Sequence, residues 1–138
     1  MATNIDAFDL AIERHHQRRI PDRMRDQADA VGLGLLGGVM EDTPVRTGLM
    51  KGNWQLTTGQ PATGSISRTD TSARGTIGSA YVEESRKLDR PRDPFAWIWL
   101  HNGLDYAAAV NSGTETQAAQ RIVERTADRF RRTAASAR

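Results

Sequence analysis

Residues 39–55 read VMEDTPVRTGLMKGNWQ, and this stretch decides the fold because the hydrophobic pattern before it is helical and the pattern after it is strand-like. Thr43-Pro44 ends a helix, since the residue before a proline avoids helical backbone angles. Thr47-Gly48 predicts a tight turn. Leu49 to Asn53 fits one helical turn, after which Trp54 enters a sheet. The chain is therefore expected to change architecture at this junction.

Helices are expected on the N-terminal side of the junction. Over residues 4–19, Ile5, Phe8 and Ile12 recur at helical spacing with charged residues between them. A second apolar stripe predicts a helix from about residue 21 to residue 40. Pro21 itself either kinks one long helix or begins the second one, where a proline fits the first turn.

A glycine-rich segment, VGLGLLGG (31–38), lies inside the second predicted helix. It formally matches the G-x-G-x-x-G pattern of dinucleotide-binding sites, but that chemistry needs a strand before the pattern and a helix after it. Here a charged helical stretch precedes the glycines and Thr-Pro follows shortly. We therefore interpret them as positions where another helix or another subunit packs closely.

Short strands and one further helix are expected on the C-terminal side. Most of the strands alternate weakly, but FAWIWLH (95–101) is the most apolar segment and predicts a strand in the middle of the sheet. Residues 106–110 fit either a helix or a strand. The predicted strands cover 53–58, 64–69, 75–82 and 95–101, and the predicted C-terminal helix covers 117–135.

Residues 83–94 (EESRKLDRPRDP) are charged, contain two prolines and offer little to bury. They predict an extended, exposed flap that is flexible alone and ordered against a neighbouring chain. Deleting the flap is expected to leave the fold intact and to impair assembly. Its charged side chains are candidate assembly contacts, namely Glu83, Glu84, Arg86, Lys87, Arg90 and Arg92.

The predicted fold class is α+β. The length of 138 residues supports one domain, divided into a helical part (1–42), a part with the sheet and the flap (43–113), and a C-terminal helix (114–138). The N-terminal helices and the C-terminal helix are expected to pack on a small, mostly antiparallel sheet.

The composition excludes several kinds of chemistry. The absence of cysteine rules out disulfides, cysteine-ligated metals and a thiol nucleophile. His15 and His16 are adjacent, so on a helix their side chains diverge by about 100 degrees, and His101 lies far along the chain. We predict no enzyme activity, no cofactor and no metal site. No apolar run approaches 18 residues and the N-terminus has no apolar signal core, so we predict no membrane contact.

Two segments of the sequence resemble a known family. TPVRTG (43–48) followed by GNWQ (52–55) resembles the TPVxTGxxxxNW signature of bacteriophage head–tail joining proteins, which include lambdoid tail-completion and minor tail components. IWLHNGLDYA (98–107) is similar to that family's second motif, in which a strand leads into an Asn-x-Leu-x-Tyr-Ala turn and a short segment ends in a glycine. The matching positions are Thr43, Pro44, Thr47, Gly48, Asn53, Trp54, Asn102, Leu104, Tyr106, Ala107 and Gly113.

The sequence departs from the family pattern at two places. The acidic residue usual just before the final glycine is Asn111 here, and the usual Ala-Pro before the last helix is Ala118-Ala119. The large side chains of Trp54 and Tyr106 are expected to anchor the turn of the first motif to the strand at 95–100.

The resemblance implies a structural virion protein without catalytic activity. Such proteins form rings, commonly hexamers, at the head–tail junction, between a connector or stopper protein and the tail tube protein, and DNA passes through the channel. A tail-completion or tail-terminator role is implied, with a head-side adaptor or stopper of the connector as the alternative. The protein would be made in the cytoplasm of the bacterial host and would end in the virion of a phage or of a gene-transfer particle.

A reading from another class is a small nucleic-acid-binding module that uses Arg86, Arg90, Arg92 and the C-terminal arginines. The net charge of only +2, with bases and acids interleaved, argues against it. The charge is also unevenly divided, at −3 for residues 1–42, +3 for 43–94 and +2 for 95–138. Segments of opposite sign suit head-to-tail neighbours.

Overall fold

The computed structural model describes residues 4–90 and 92–136. The side chains of residues 4–8 and of Arg18 are outside this description, so the predicted stripe positions Ile5 and Phe8 are not tested. Pro91 of the predicted flap and Arg138 of the C-terminal basic run also lie outside the described residues.

The N-terminal part is one helical rod with a wider turn inside it. Helix α1 spans Asn4–Arg14, a π-helical turn covers His15–Arg19, and helix α2 spans Ile20–Asp42. Because Pro21 has no N–H to donate to the preceding turn, a widened turn before it is the expected accommodation.

The predicted stop of the long helix is confirmed. Thr43 follows α2 with extended backbone angles of −67° and 127°, as required before Pro44. The remaining chain forms short elements. They are helix α3 (Leu49–Gly52), strand β1 (Trp54–Thr58), helix α4 (Ser79–Ser85), a 3-10 turn (Arg86–Asp89), strand β2 (Ile98–Asn102), helix α5 (Ala107–Ser112) and helix α6 (Ile122–Ser136).

The sheet consists of β1 and β2 in antiparallel pairing, with Leu56 opposite Leu100 and Trp54 opposite Asn102. Helix α2 packs against this pair and against α4 and α6. The expected α+β class is thus confirmed. Ile98 and Leu100 of β2 are partly buried and pack against the buried apolar core. The core itself consists of Leu36, Val39, Met40, Met50, Trp54, Leu56, Ala80, Leu88, Ala107 and Ile122.

The glycines of α2 contact other elements of the same chain. A Cβ atom added at Gly38 would lie 2.5 Å from the Thr126 methyl group of α6, and one at Gly32 would lie 3.3 Å from Ile98 of β2. Close packing of another helix, one of the two expectations for this segment, is therefore confirmed. On helix α6, Ile122 and Thr126 are buried, whereas Val123 is exposed.

Two of the predicted strands are wrong. Residues 64–69 have no regular structure, because side chains rather than a backbone ladder hold them along β1. Residues 79–82 begin helix α4, whose first turn is stabilised by the carboxylate of Asp70, which accepts the backbone N–H of Ala80 at 3.0 Å. Of residues 106–110, which fit either a helix or a strand by sequence, residues 107–110 are helical and Tyr106 precedes the helix.

Candidate assembly surfaces and the junction that supports them

The end of α2 is tied to the start of β1 by two residues of the first motif. The Thr43 side chain is fully buried, and its hydroxyl donates to the carbonyl of Val39 at 2.6 Å. The same hydroxyl accepts the indole N–H of Trp54 at 2.8 Å. Because a buried indole needs an acceptor, Thr43 fixes where Trp54 lies in the core.

Two asparagines, one from each motif, hold the single turn of α3. Asn53 is fully buried, donates to the carbonyl of Leu49 at 2.8 Å and accepts the N–H of Ile66 at 2.8 Å. Asn102 donates to the carbonyl of Met50 at 2.8 Å. A helix this short leaves most of its carbonyls without helical partners, so the asparagine side chains replace them.

Gly48 precedes α3 in the left-handed region, with φ of 78°. Its carbonyl accepts the N–H of both Gly52 and Asp70 at 2.9 Å. A Cβ at Gly48 would lie 2.6 Å from the Asp70 carbonyl oxygen, so the turn requires glycine for both its angle and its space. Thr47 accepts the N–H of Leu49 at 3.3 Å.

The rest of the second motif also has a structural place. Leu104 packs on the core, Ala107 is buried at the start of α5, and Gly113 ends α5 with φ of 84°. The expected anchoring role of Tyr106 is wrong, because its side chain is 45% exposed. Tyr106 instead lines a surface cavity that Pro44 and Thr47 also border.

The departure from the family pattern at Asn111 has a local explanation. Its side-chain oxygen accepts the N–H of Val123 at 3.0 Å, and its amide donates to the carboxylate of Glu124 at 3.1 and 3.2 Å. An acidic residue here would satisfy the helix terminus but would repel Glu124. Asparagine supplies both the acceptor and the donor that this start of α6 needs.

Lys51 is a buried residue that the sequence reasoning missed. Its ammonium group donates to the carbonyls of Ser72, Ala73 and Thr76 at 3.3, 3.1 and 2.6 Å. Burial lowers the pKa of Lys51, while the charges of Asp70 and Glu41 act in the opposite direction. Because its acceptors lie 21 to 25 residues later in the chain, no local spacing could have indicated them.

The predicted flap is wrong for most of residues 83–94. Residues 83–89 form the end of α4 and the 3-10 turn, and Glu84 is fully buried. Its carboxylate accepts the N–H of Leu56 at 2.6 Å, the ammonium of Lys87 at 2.7 Å and the guanidinium of Arg68 at 2.7 Å. Charged residues can be buried when each charge is paired in this way.

Arg68 and Glu84 together close the outer edge of β1. Arg68 donates to the carbonyl of Gly52 at 2.8 Å and to that of Trp54 at 2.9 Å, and Glu84 takes the next free N–H along the strand, that of Leu56. Side chains thus occupy the positions where a third strand would bind. We call this pair the edge clamp.

The other candidate contacts in this segment divide into buried and exposed groups. Leu88 is buried, and Arg92 donates to its carbonyl at 2.8 Å and forms an ion pair with Asp29 of α2. Lys87 is partly buried by Glu84. The side chains that remain at the surface are Glu83, Arg86 and Arg90.

Asp70 and Glu84 make the stability of the fold depend on pH in the acidic range. Burial alone would raise the pKa of Asp70, but hydrogen bonds from Ser72 and Ala80 and the charge of Lys51 outweigh it and leave the pKa below its ordinary 3.8. Burial likewise opposes ionisation of Glu84, yet hydrogen bonds from Leu56, Lys87 and Arg68 lower its pKa below 4.5. Both carboxylates therefore stabilise the fold when ionised.

We expect the contribution of these two carboxylates to the free energy of unfolding to be constant well above pH 4.5 and to fall as the pH drops from there through their lowered folded-state pKa values. The sign follows because the unfolded chain takes up these protons first. Urea midpoints measured between pH 7 and pH 3 test this. In Asp70→Asn the loss over this range should be smaller than in the wild type, and an equal loss in both proteins would contradict the assignment.

The strand predicted at 95–101 exists in part, but its predicted central position is wrong. Among the described residues the sheet has two strands, so β2 is an outer strand. Phe95 and Trp97 are 64% and 75% exposed, and Trp99 is also exposed. The rings of Trp97 and Trp99 lie 6.4 Å apart. These three side chains form what we call the aromatic face.

The outer edge of β2, unlike that of β1, is not closed by side chains within the described residues. Gly59 donates its N–H to the carbonyl of Trp97 at 2.7 Å, so alternate residues from Trp97 onward turn their backbone groups toward β1. Ile98 and Leu100 consequently direct their N–H and C=O groups outward. The sheet therefore has one edge closed by the edge clamp and one edge, along β2, from which Ile98 and Leu100 direct their backbone groups outward.

Comparisons with protein-family models, with curated proteins and with solved structures found no match to this chain. Over residues 4–90 and 92–136, no group of three or more His, Asp or Glu side chains is arranged to hold a metal ion. In the same part of the chain, no helix has the length and apolar character needed to cross a bilayer.

Proposed function

We propose that this chain is a non-catalytic structural subunit of a ring at the head–tail junction of a phage or phage-like particle. The observation that supports an assembly role is the aromatic face, where three aromatic residues within five positions are exposed and the rings of Trp97 and Trp99 lie 6.4 Å apart. Exposed apolar clusters of this kind mark interaction surfaces, and aromatic residues dominate their energetics. The aromatic face is continuous with the open edge of β2, which adds directional backbone groups.

The resemblance to head–tail joining proteins supports a ring at the head–tail junction as the kind of assembly. Its two motifs meet at one junction, where Asn53 and Asn102 donate to adjacent carbonyls of α3 and Thr43 binds Trp54. The proposed partners are further copies in a hexameric ring, a connector or stopper protein, and the tail tube protein, with DNA passing through the channel. The proposed position is the tail side, because the first motif is typical there.

The nucleic-acid-binding alternative has less support. Several of the arginines on which it would depend are engaged with carboxylates. Arg92 pairs with Asp29, Arg129 with Asp42 at 2.9 Å, and Arg131 with Asp128 at 3.3 Å. Guanidinium groups that are paired with carboxylates in this way are less available to bind phosphate groups.

We expect the double variant Phe95→Ser/Trp97→Ser to lose self-assembly while keeping its fold, since both side chains are exposed. Fully burying one such aromatic side chain contributes about 1.5–3 kcal/mol, so two losses per contact should weaken association at least 100-fold. Sedimentation velocity measures the assembly and circular dichroism the fold. Val123→Ser, which changes another exposed apolar residue on α6, is the matched control.

The role in the particle is tested by deleting the gene from the phage or prophage that carries it. Electron microscopy of lysates from the deletion should then show separate heads and tails. Supplying the wild-type protein should restore joined particles, whereas supplying the double variant should not. Normal particles without the protein, or a wild-type protein that stays monomeric at every concentration and in particles, would overturn the proposal.

A further inference from the structure

The N-terminal helical segment, residues 4–19, continues α2 at its N-terminal end, and we call it the arm. Residues 9–17 are exposed on every side, among them Leu10 and Ile12. A helical segment of this length whose described side chains are all exposed is marginal in water, so Leu10 and Ile12 need a partner surface. The arm continues α2 outward by 16 residues, which is roughly 24 Å at the helical rise.

A surface cavity of about 630 Å³ lies at the opposite end of α2, beside the motif turn. Its charged lining residues are Arg46 and Arg74, both exposed, and Met50, Val110 and Tyr106 supply apolar surface. We call it the basic pocket. It is completed by Pro44, Thr47, Gly48, Gln117 and Gln120.

We propose that the arm of one copy docks in the basic pocket of the next copy. The inference rests on the proposed function, since it names the contact that joins neighbours in the ring. Residues 4–13, the part of the arm farther from α2, carry Asp6, Asp9 and Glu13 and no basic residue, whereas Arg14, Arg18 and Arg19 lie near its junction with α2. Asp9 and Glu13 are four apart and lie on the same side of the helix, opposite in charge to Arg46 and Arg74.

The geometry requires the two halves of the contact to come from different copies. The arm leaves the N-terminal end of α2, whereas Pro44 and Arg46 follow its C-terminal end. The 23 residues of α2 separate these ends by about 35 Å of helix. An arm on one end and a pocket on the other form a head-to-tail contact, which is the kind that generates rings.

The π-helical turn at His15–Arg19 lies where the arm joins α2. A widened turn before a proline is a natural place for the helix to bend. It lets the arm adjust its direction to a neighbouring pocket while α2 stays packed on the sheet.

The test is a charge exchange on the full chain, measured by native mass spectrometry and sedimentation. Asp9→Arg/Glu13→Arg and Arg46→Glu/Arg74→Glu should each weaken assembly about 10- to 100-fold. The variant that carries all four changes should assemble again, because the charges of arm and pocket are exchanged together. The control Asp128→Arg/Arg131→Glu exchanges an exposed ion pair on α6 and should assemble like the wild type.

The outcomes separate this inference from the proposed function. If the wild type assembles, and the arm variant and the pocket variant assemble equally well, the proposed arm contact is wrong but the proposed ring is not. Failure of the four-change variant to recover, with its fold intact by circular dichroism, also contradicts the arm contact. A wild type that never assembles overturns both.

Discussion

Replacing Glu84 with alanine is expected to lower the free energy of unfolding by about 3–5 kcal/mol, which is a large part of the stability of a domain this size. The change leaves the guanidinium of Arg68 without its buried countercharge, although Arg68 still donates to two carbonyls. It also leaves the N–H of Leu56 without an acceptor in a buried position. Unpaired buried charges and donors are among the most destabilising changes known in proteins.

Glu83 provides a matched control for this prediction. Its carboxylate also lies near the same Arg68 nitrogen, at 3.3 Å, but its side chain is 66% exposed. Solvent screening and side-chain entropy reduce such a pair to less than about 1 kcal/mol, so Glu83→Ala should change little. Urea denaturation followed by circular dichroism measures both variants. Similar small losses in both would mean that the edge clamp does not hold β1.

Replacing Gly48 with alanine is expected to cost about 3 kcal/mol. The left-handed backbone angle costs roughly 1–2 kcal/mol for a residue with a Cβ, and the contact with the Asp70 carbonyl oxygen adds an overpacking cost of about 1–3 kcal/mol. Neither cost can relax easily, because Gly48 accepts hydrogen bonds from both Gly52 and Asp70.

A substitution at Gly59 allows the cost of the backbone angle to be measured apart from the cost of overpacking. Its φ of 84° is close to the 78° of Gly48, but a Cβ there meets nothing within 4 Å. Gly59→Ala should therefore show the backbone cost alone, at about 1–2 kcal/mol. The difference between the two variants measures the close approach of α3 to residue 70. Equal losses would show that the motif glycine is needed for its angle only.

The edge clamp also changes the expectation for residues 83–94. The sequence predicts that this segment can be deleted without harm to the fold, whereas the structure shows Glu84 and Leu88 inside it as buried residues. A variant that disrupts assembly here does not by itself identify a contact. Exposed positions such as Arg86 and Arg90 are the ones that report on contacts.

Local features of the sequence predicted much of the architecture correctly. Thr43-Pro44 predicted the end of α2, residues 49–53 predicted a single helical turn, and Trp54 predicted entry into a strand. These signals are reliable because proline geometry, glycine angles and helical periodicity act over a few residues. They were enough to predict the α+β class and the junction between helix and sheet.

Burial and orientation were settled by contacts between distant residues. Glu84 looks like a solvated charge in sequence, yet it is buried because Leu56, 28 residues earlier, needs an acceptor. Trp97 looks like a core residue, yet it is exposed, because the neighbouring Ile98 and not Trp97 makes the contact with Gly32 of α2. A local pattern predicts which residues share a face, whereas the tertiary contacts of the folded chain determine what covers that face.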